Sequence, residues 1–408
     1  MPVPGTTSPW LENDGALAGL RVLDLSRILS GPFCTMILGD LGADVIKVEN
    51  VEGGDDTRAW GPPFQGADAA YFHTVNRNKR GIAVDLKNPQ CRELVEELAA
   101  TADVVVENFR PGAAARLGLG YEQIREINPG IVYVSVSGYG QTGPMSQEPG
   151  YDAIAQALSG MMSVTGESDG PPVRVGVAAA DLAAGMWACI GMLAALRAKD
   201  RTGAGQWVDV SLLDGQISWL TYVAGGYFVT GDTPPRYGSA HPTIVPYQAF
   251  PTADGHLMVA VGNDGLWRRF AAAVGLGHLA EEPRFRTNPD RVRNRRELLP
   301  LIEAALAERS AHEWGKILAD VGVPAGPINT VDQALTHPQV LARDMIAKID
   351  HPSAGTITMV GSPLKLSRTA TTIRTAPPEL GQHTDEVLTA LGCTPKDLAD
   401  LHAEGAVR

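Results

Sequence analysis

Asp181 is the only charged residue in the stretch 175–196, which is otherwise apolar. The Ala, Leu and Met residues that follow it predict a buried helix over about 182–196, which places Asp181 at or just before the helix start. Unpaired N–H groups and the helix dipole would keep a carboxylate there ionised even where water is excluded. Such a carboxylate is a competent nucleophile. An ordinary Asp N-cap is the alternative, and this segment alone favours that structural role.

The elements that must position this residue form an alternating pattern in the first half of the chain. Short β-branched runs alternate with helical stretches, which is typical of a parallel sheet wrapped by helices. Strands are predicted at 20–25, 44–49, 81–86, 103–108, 131–137 and 206–210, with helices at 33–41 and 89–100. The pattern indicates a doubly wound α/β sheet. Ligands of such sheets bind at the carboxyl ends of the strands, so the loops after residues 25, 49, 86 and 108 are expected to converge.

The second half of the chain does not continue the alternation of strands and helices. A long helix is predicted from about 212 to 227, followed by a Pro- and Gly-rich loop at 231–243. A hairpin at 247–262, with its turn at Asp254-Gly255, precedes predicted helices at 266–274, 296–308 and 312–320. This pattern predicts a smaller α+β unit. The last part of the chain returns to a strand at 355–361 and a helix at 385–391.

Composition and missing motifs exclude several classes of protein. The net charge of −12, from 34 Lys+Arg and 46 Asp+Glu, argues against a nucleic-acid partner. The four cysteines show no C-x-x-C pairing, and the histidines lack ligand spacing, so neither a disulfide framework nor a metal site is predicted. No G-x-G-x-x-G follows the first strand, which disfavours a dehydrogenase. Asp181 and three glycines argue against a membrane span, and the N-terminus lacks a signal-peptide pattern, so a cytoplasmic location is expected.

Several motifs occur together and in order along the chain: LRVLDLSRILSGPFCTMILGDLGADVIKVE, NRNKRGIAVDLK, ENFRPG, SGYGQTGP, GYDAIAQALSG and AAADLAAGM. From about residue 17 onward the chain resembles the class III CoA-transferase family, which includes the carnitine and formyl enzymes. The resemblance implies that Asp181 is the catalytic nucleophile. An aspartyl anhydride and then an aspartyl-CoA thioester would carry the acyl group and coenzyme A. Coenzyme A is then a substrate, and no tightly bound cofactor is expected.

The resemblance also implies a set of residues that line the coenzyme A groove: Val84, Lys87, Asn108, Phe109, Arg116 and Tyr151. An arginine offers a fork of donors suited to phosphate, and Asn108 follows directly on a predicted strand, at the ligand edge of the sheet. Structural roles remain open for some of these residues. Val84 could be a core residue, Lys87 and Arg116 could be solvated, and Asn108 could cap the next turn.

Three further residues are expected at the acyl site by resemblance: Leu29, Asp152 and Gly262. Gly262 lies in a loop similar to the family's mobile glycine loop, whose backbone amides would stabilise an oxyanion. Leu29 stands where formyl-CoA transferases carry a glutamine, so oxalate and formate are disfavoured and a larger or partly apolar dicarboxylate, or another carboxylic acid, is favoured. Tyr151-Asp152 follows Gly150 where the related racemases have Gly-His-Asp, which favours transfer over racemisation.

The expected architecture is a large Rossmann-like α/β domain built from both chain ends, 1–225 and 327–408, with a small α+β domain at 226–326. The resemblance implies an interlocked homodimer. The function predicted is transfer of coenzyme A from an acyl-CoA to a carboxylic acid. A 2-methylacyl-CoA racemase or isomerase, and a coenzyme A-binding protein without turnover, are the alternatives.

Overall fold

The computed structural model describes residues 8–408, which form two compact units. The first unit comprises 8–161, Val175–Tyr222 and Gln339–Arg408, and the second comprises Met162–Arg174 and Val223–Pro338. The predicted domain limits at 226 and 326 stay a prediction. The longer segment of the second unit, Val223–Pro338, begins near the first of these limits and continues past the other, and the unit also contains Met162–Arg174.

The strands of the described residues are β1 (Arg21–Asp24), β2 (Asp44–Glu49), β3 (Phe64–Gln65), β4 (Asp68–Ala69), β5 (Lys79–Ala83), β6 (Val104–Glu107), β7 (Val132–Ser137), β8 (Gln206–Ser211), β9 (Tyr247–Pro251), β10 (His256–Ala260), β11 (Ala325–Pro327), β12 (Ile346–His351) and β13 (Gly355–Val360).

The helices of the same residues are α1 (Ser30–Asp40), α2 (Ala70–His73), α3 (Pro89–Thr101), α4 (Ala113–Arg116), α5 (Tyr121–Ile127), α6 (Asp152–Leu158), α7 (Met161–Val164), α8 (Ala179–Thr202), α9 (Leu212–Trp219), α10 (Thr221–Thr230), α11 (Asp264–Ala273), α12 (Asn288–Arg293), α13 (Arg295–Leu306), α14 (Ala311–Asp320), α15 (Val331–Leu335), α16 (Pro338–Leu341), α17 (Thr384–Ala390) and α18 (Pro395–Ala403).

A six-stranded parallel sheet in the order β5-β2-β1-β6-β7-β8 forms the centre of the first unit. Every residue of β2, β6 and β7 is buried, because the β-branched side chains of these strands face helices on both sides of the sheet. The prediction of an α/β fold with a large parallel sheet is confirmed. Its order also makes β1 and β6 neighbours, so the loops that follow them lie side by side.

Some predicted boundaries are wrong. The strand expected at 81–86 is Lys79–Ala83, because the backbone turns at Asp85 to begin the capped helix α3. The helix expected over 212–227 is divided into α9 and α10, which meet where Thr221 has a φ of 32°. Helix α18 was not predicted from sequence, although Thr394 begins it with a capping box.

The C-terminal segment packs on the first part of the chain within the first unit. The Arg77 guanidinium donates to the carbonyl oxygen of Val360 over 2.8 Å, and the Arg408 amide donates to the carbonyl oxygen of Ala83 over 3.1 Å. A hairpin of β12 and β13 precedes this segment's last helices. The two parts of the chain therefore share one unit although nearly two hundred residues separate them in sequence.

The second unit contains an antiparallel sheet in the order β11-β10-β9, with amphipathic helices packed on it. The predicted hairpin is present, with Asp254-Gly255 between its strands. Its core is apolar and centres on Phe250, Trp267 and Phe270. Local caps begin its helices: Asn263 accepts from the Leu266 amide, and Ser310 forms a capping box.

Helix α8 carries Asp181 and is long and apolar enough to cross a membrane by length and composition alone. Half of its most apolar window is buried inside the fold, as in an ordinary core helix. It packs against α1, where Gly185 is required: a Cβ there would lie 2.6 Å from the carbonyl oxygen of Ser30. This close approach sets the start of α1 beside the first turn of α8.

Candidate active site

Helix α8 begins at Ala179, so Asp181 lies inside its first turn. The helix begins earlier than the expected residue 182, so Asp181 lies at the helix start as the third residue of α8. The alternative that Asp181 acts as the N-cap is wrong, because Ala178 holds that position. Asp152 of α6 takes the capping role, because its Oδ1 accepts from the Ala180 amide over 2.8 Å and its Oδ2 accepts from Gln156 over 2.8 Å. Gln156 in turn accepts from the Val175 amide over 2.9 Å. The Asp181 carboxylate is thus left available for other contacts.

The carboxyl of Asp181 is largely buried and has an unusual pKa. Burial and the nearby charge of Asp152 raise this pKa to about 7, although a hydrogen bond with Ser30 acts in the opposite direction. The expectation that the helix start keeps the group firmly ionised is therefore wrong. A cluster of apolar side chains that includes Leu29 and Leu182 lies at this helix start and accounts for the loss of water.

Tyr71 is a site residue that the sequence did not reveal. Burial and the charges of Asp181 and Asp152 raise the pKa of Tyr71 to about 12, so its hydroxyl stays protonated and can donate. The residue belongs to the single turn α2 and packs edge-on against Trp60. The sequence around Tyr71 shows no helical periodicity, because α2 is a single turn and is too short for a repeating pattern.

Asn108 holds the loop that follows β1. Its side-chain oxygen accepts from the Arg27 amide over 2.8 Å, and its side-chain nitrogen donates to the Arg27 carbonyl oxygen over 2.7 Å. Residue Ile28 of this loop has a φ of 70°, a left-handed conformation that costs a β-branched residue about 1 to 2 kcal/mol. Surrounding contacts must therefore hold this loop, which carries Leu29 and Ser30.

Two adjoining cavities lie at the carboxyl edge of the parallel sheet. One, of about 360 Å³, is lined by Val84, Lys87 and Phe109, among others. The second, of about 400 Å³, is lined by Asn108, Phe109, Arg116 and Tyr151, among others. The ion pair of Arg27 with Asp56 lines both.

The structure thus brings all the residues expected at the coenzyme A groove to one continuous edge of the sheet. Val84 is also a core residue, with 1 % of its surface exposed, so it touches both the cavity and the apolar core. Phe109 lines both cavities and also packs against this core. The apolar side chains of Val84 and Phe109, with Lys87 in the first cavity and Arg116 in the second, suit a long ligand that carries phosphates.

The three residues expected at the acyl site lie in different places. Leu29 is buried in the cluster that contains Leu182, next to Asp181 in sequence. Asp152 contacts the helix start that carries Asp181. Gly262 belongs to the second unit, in the loop between β10 and α11, where a Cβ would meet nothing within 4 Å. Its local structure does not require glycine.

The edge of the parallel sheet carries a groove that suits a phosphate-bearing ligand, and Tyr151 of this groove directly precedes Asp152, which contacts the start of α8. With the desolvated carboxyl of Asp181 at that helix start, these features define a protein suited to acyl transfer. The family model of CoA-transferase family III matches residues 17–384. The chain belongs to CoA-transferase family III and is an enzyme of the CoA-transferase class.

Relatives agree with this assignment over nearly the whole chain. Succinyl-CoA:glutarate CoA-transferase of Mus musculus is 46% identical over 372 residues, which cover 91% of this chain and 85% of that protein. Acetyl-CoA:oxalate CoA-transferase of Acetobacter aceti is 42% identical and covers 86% of this chain and 90% of its own. The crystal structure of a CaiB/BaiF family protein from Brucella suis superposes with a TM-score of 0.83 at 42% identity, covering 93% of this chain and 100% of the other.

Proposed function

We propose that this enzyme transfers coenzyme A between short dicarboxylic acids, such as succinate and glutarate, through covalent intermediates on Asp181. The observation that carries the proposal is the state of Asp181: a carboxyl deprived of water, relieved of capping by Asp152, and raised in pKa to about 7. A carboxylate so poorly stabilised as an anion is a reactive nucleophile once it ionises.

The first half of the reaction loads the enzyme. A carboxylate oxygen of Asp181 attacks the thioester carbonyl carbon, the C–S bond breaks, and coenzyme A leaves as a thiolate while a mixed anhydride forms. The thiolate then attacks the aspartyl carbonyl, the donor acid leaves as a carboxylate, and an aspartyl-CoA thioester remains. Neither step consumes a proton. Tyr71 is protonated at neutral pH, and the charge of Asp181 contributes to its raised pKa, which supports the proposal that its hydroxyl donates towards developing oxyanions.

The second half runs the same chemistry in reverse with the acceptor. Its carboxylate attacks the aspartyl thioester carbonyl and expels the thiolate, which then attacks the acceptor carbonyl of the new anhydride and frees Asp181. Water must stay out, because it would hydrolyse either intermediate. The apolar cluster with Leu29 and Leu182 serves this purpose at the helix start.

The choice of dicarboxylates rests on the relatives and on Leu29. The mouse relative is a succinyl-CoA:glutarate CoA-transferase, and a succinate–glutarate CoA-transferase of Agrobacterium fabrum is 44% identical over 92% of this chain. An apolar side chain at position 29 suits the methylene chain of such acids better than oxalate, which has none.

Coenzyme A binding is proposed for the two cavities at the sheet edge. In this arrangement Arg116 binds phosphate, Phe109 and Val84 pack against the apolar parts of the ligand, and Tyr151 lies towards the thioester end. Tyr151 supports this placement because it directly precedes Asp152, the residue that contacts the start of α8.

A homodimer is also part of the proposal. Helix α8 exposes Trp187 by 41% and Ile190 by 55%, and α10 exposes Phe228 by 80%. Apolar side chains exposed to this extent on two helices favour coverage by a second copy of the chain. Cysteines 34, 91, 189 and 393 carry free thiols, which supports the further proposal of a cytoplasmic location.

Trapping tests the proposal directly. The enzyme is incubated with succinyl-CoA and treated with borohydride or hydroxylamine, and the peptide that carries residue 181 is examined by mass spectrometry. We expect modification at Asp181 and steady transfer to glutarate. An unmodified peptide with every donor in a panel of mono- and dicarboxylyl-CoA thioesters would contradict it. Incorporation of α-deuterium from deuterated water without an acceptor would instead indicate an isomerase.

A further inference from the structure

The loop between β1 and α1 holds a conformation that its own sequence opposes. Ile28 has a φ of 70°, in the left-handed region that glycine adopts freely and β-branched residues avoid. Such a conformation persists only where surrounding contacts impose it, and it concentrates at functional sites. The loop directly precedes Leu29 and Ser30 of the proposed acyl site.

A buried carboxylate imposes this conformation. The Ile28 amide donates to both oxygens of Asp55, each at 3.2 Å. Asp55 has 1 % of its surface exposed and is fixed by the amide of Thr57 at 3.0 Å and its hydroxyl at 2.8 Å. An amide aimed at a fixed buried acceptor has no comparable partner elsewhere, so Ile28 stays in place.

Lys47 of β2 also holds this loop, through hydrogen bonds to Asp55 and to the backbone of Ser26. Its ammonium group is fully buried and donates to Asp55 over 2.9 Å and to the carbonyl oxygen of Ser26 over 2.8 Å. Asn108 holds both backbone groups of Arg27, as described above. The three consecutive loop residues before Leu29 are therefore each held by a backbone hydrogen bond to a side chain of another element.

The end of this loop packs against the start of α8, which carries the proposed nucleophile Asp181. The Ser30 carbonyl oxygen lies so close to α8 that only glycine fits at position 185, and the Ser30 side chain acts to lower the pKa of Asp181. Ile28 and Leu29 both belong to the apolar cluster at the start of α8. A loop that relaxed at Ile28 would move these groups away from Asp181.

We propose that the buried Lys47–Asp55 pair is a positioning device for the reaction, which holds Ile28 in its left-handed conformation and so sets Leu29 and Ser30 against Asp181. This inference rests on the proposed function of Asp181. Lys47 and Asp55 lie in the wall of the first cavity, but neither side chain has exposed surface and neither touches the reacting atoms. Both act through the loop.

The test first weakens the hydrogen bond that holds Ile28 and then replaces Ile28 with a residue that adopts a positive φ without it. Asp55→Asn weakens the acceptor for Ile28, and kcat for transfer is expected to fall by about 10- to 100-fold, since small displacements of reacting groups have effects of this size. The KM for acyl-CoA should change by less than about threefold. Adding Ile28→Gly should restore a large part of kcat, because glycine adopts the left-handed conformation without restraint.

The matched control for that rescue is Ile28→Ala in the same Asp55→Asn background. It removes the same side-chain contacts but keeps the penalty for a positive φ, so it should restore nothing. Asp40→Asn is the control for stability, because Asp40 forms an equally buried pair with Arg77 over 2.6 Å, away from the loop. It should lower the midpoint of thermal unfolding and leave kcat within about twofold.

If Asp55→Asn does not fold, Asp55→Glu serves in its place, since it keeps the charge opposite Lys47 and displaces the acceptor oxygens. Rescue by glycine and not by alanine supports the inference. Equal effects of glycine and alanine, or a kcat for the Asp55 variant that matches Asp40→Asn, would overturn it. A wild-type enzyme that neither transfers coenzyme A nor modifies Asp181 overturns the proposed function instead, so the two failures are distinguishable.

Discussion

Asp24 and Asp181 lie in the same unit, but the pKa of Asp24 is lowered and that of Asp181 is raised. Asp24 is fully buried at the end of β1, where it accepts from Lys79 over 3.0 Å, from the Thr35 hydroxyl over 2.6 Å and from the Ser26 amide over 2.9 Å. Burial alone would raise the pKa of Asp24, but Lys79 and Lys47 outweigh it and hold this pKa below its ordinary value. Asp181 is less buried, yet its pKa is raised.

The difference lies in the partners. None of the ion pairs among residues 8–408 includes Asp181, and its nearest titratable influence is the like charge of Asp152. A structural carboxylate is buried with its compensation, whereas a nucleophile loses reactivity when it is fully compensated. The comparison therefore places Asp24 in the framework and supports the proposal that Asp181 is the nucleophile.

The largest expected effect comes from neutralising each site in turn. Asp181→Asn should lower kcat by at least about 10⁴-fold while the protein stays folded, because the nucleophile is lost but no ion pair is broken. Lys79→Met should instead destabilise the fold by about 3 to 5 kcal/mol, because Asp24 is left buried without its closest cation. Initial rates of transfer and denaturant unfolding curves separate the two effects.

An Asp181→Asn protein that kept transfer within tenfold of wild type would end the assignment of Asp181 as nucleophile. A Lys79→Met protein as stable as wild type would show that Asp24 needs no compensation, and the contrast between the two carboxyls would lose its basis. Both variants should be checked for far-ultraviolet circular dichroism, so that the loss of rate is measured on folded enzyme.

The next effect is smaller and concerns the pH dependence of the loading step, which reports on the pKa of Asp181. Because only the ionised form of Asp181 attacks, and its pKa is raised to about 7, the rate of aspartyl-CoA formation should rise about tenfold per pH unit below pH 7 and level off above it. Asp152→Asn removes a like charge, so the inflection should move to lower pH, although burial still holds it above the ordinary range of an aspartate. Single-turnover rates with succinyl-CoA measure this.

Asp152→Glu is the matched control for that shift. It keeps the charge near Asp181 and should keep the inflection near its wild-type position, even if the Ala180 amide loses its partner and the rate falls. If the asparagine and glutamate variants gave the same inflection, Asp152 would influence Asp181 only through the geometry of the helix start.

The regular elements could be predicted from sequence, and the electrostatics could not. Strand 44–49 has the predicted limits, and the isolation of Asp181 among apolar residues was visible because both signals are local. The raised pKa was not visible, because it depends on Asp152, which only the fold brings beside the start of α8. Tyr71 and Ile28 were not predicted for the same reason. The charges that raise the pKa of Tyr71, and the carboxylate that accepts from the Ile28 amide, lie elsewhere in the sequence.

The smallest effect is on stability, and its sign follows from the same pKa. The carboxyl of Asp181 has an ordinary value of 3.8 when unfolded and about 7 in the folded protein, so the folded state binds this proton more tightly. The wild type therefore loses stability relative to Asp181→Asn as pH rises from about 4 to 7, with no further change above.

In thermal unfolding, Asp181→Asn should melt together with wild type at pH 4 and roughly 2 to 6 °C above it at pH 8. Tyr71, which the charge of Asp181 influences, has a pKa of about 12 and does not titrate in this pH range. Groups far from Asp181 titrate alike in both proteins, so the difference between the two curves reports on residue 181 and its close neighbours. If the unfolding midpoint of the wild type rose relative to that of Asp181→Asn as pH increased, a cation would have to stabilise the ionised carboxylate in solution. Asp181 would then resemble Asp24, and its reactivity would need an origin other than the absence of compensation.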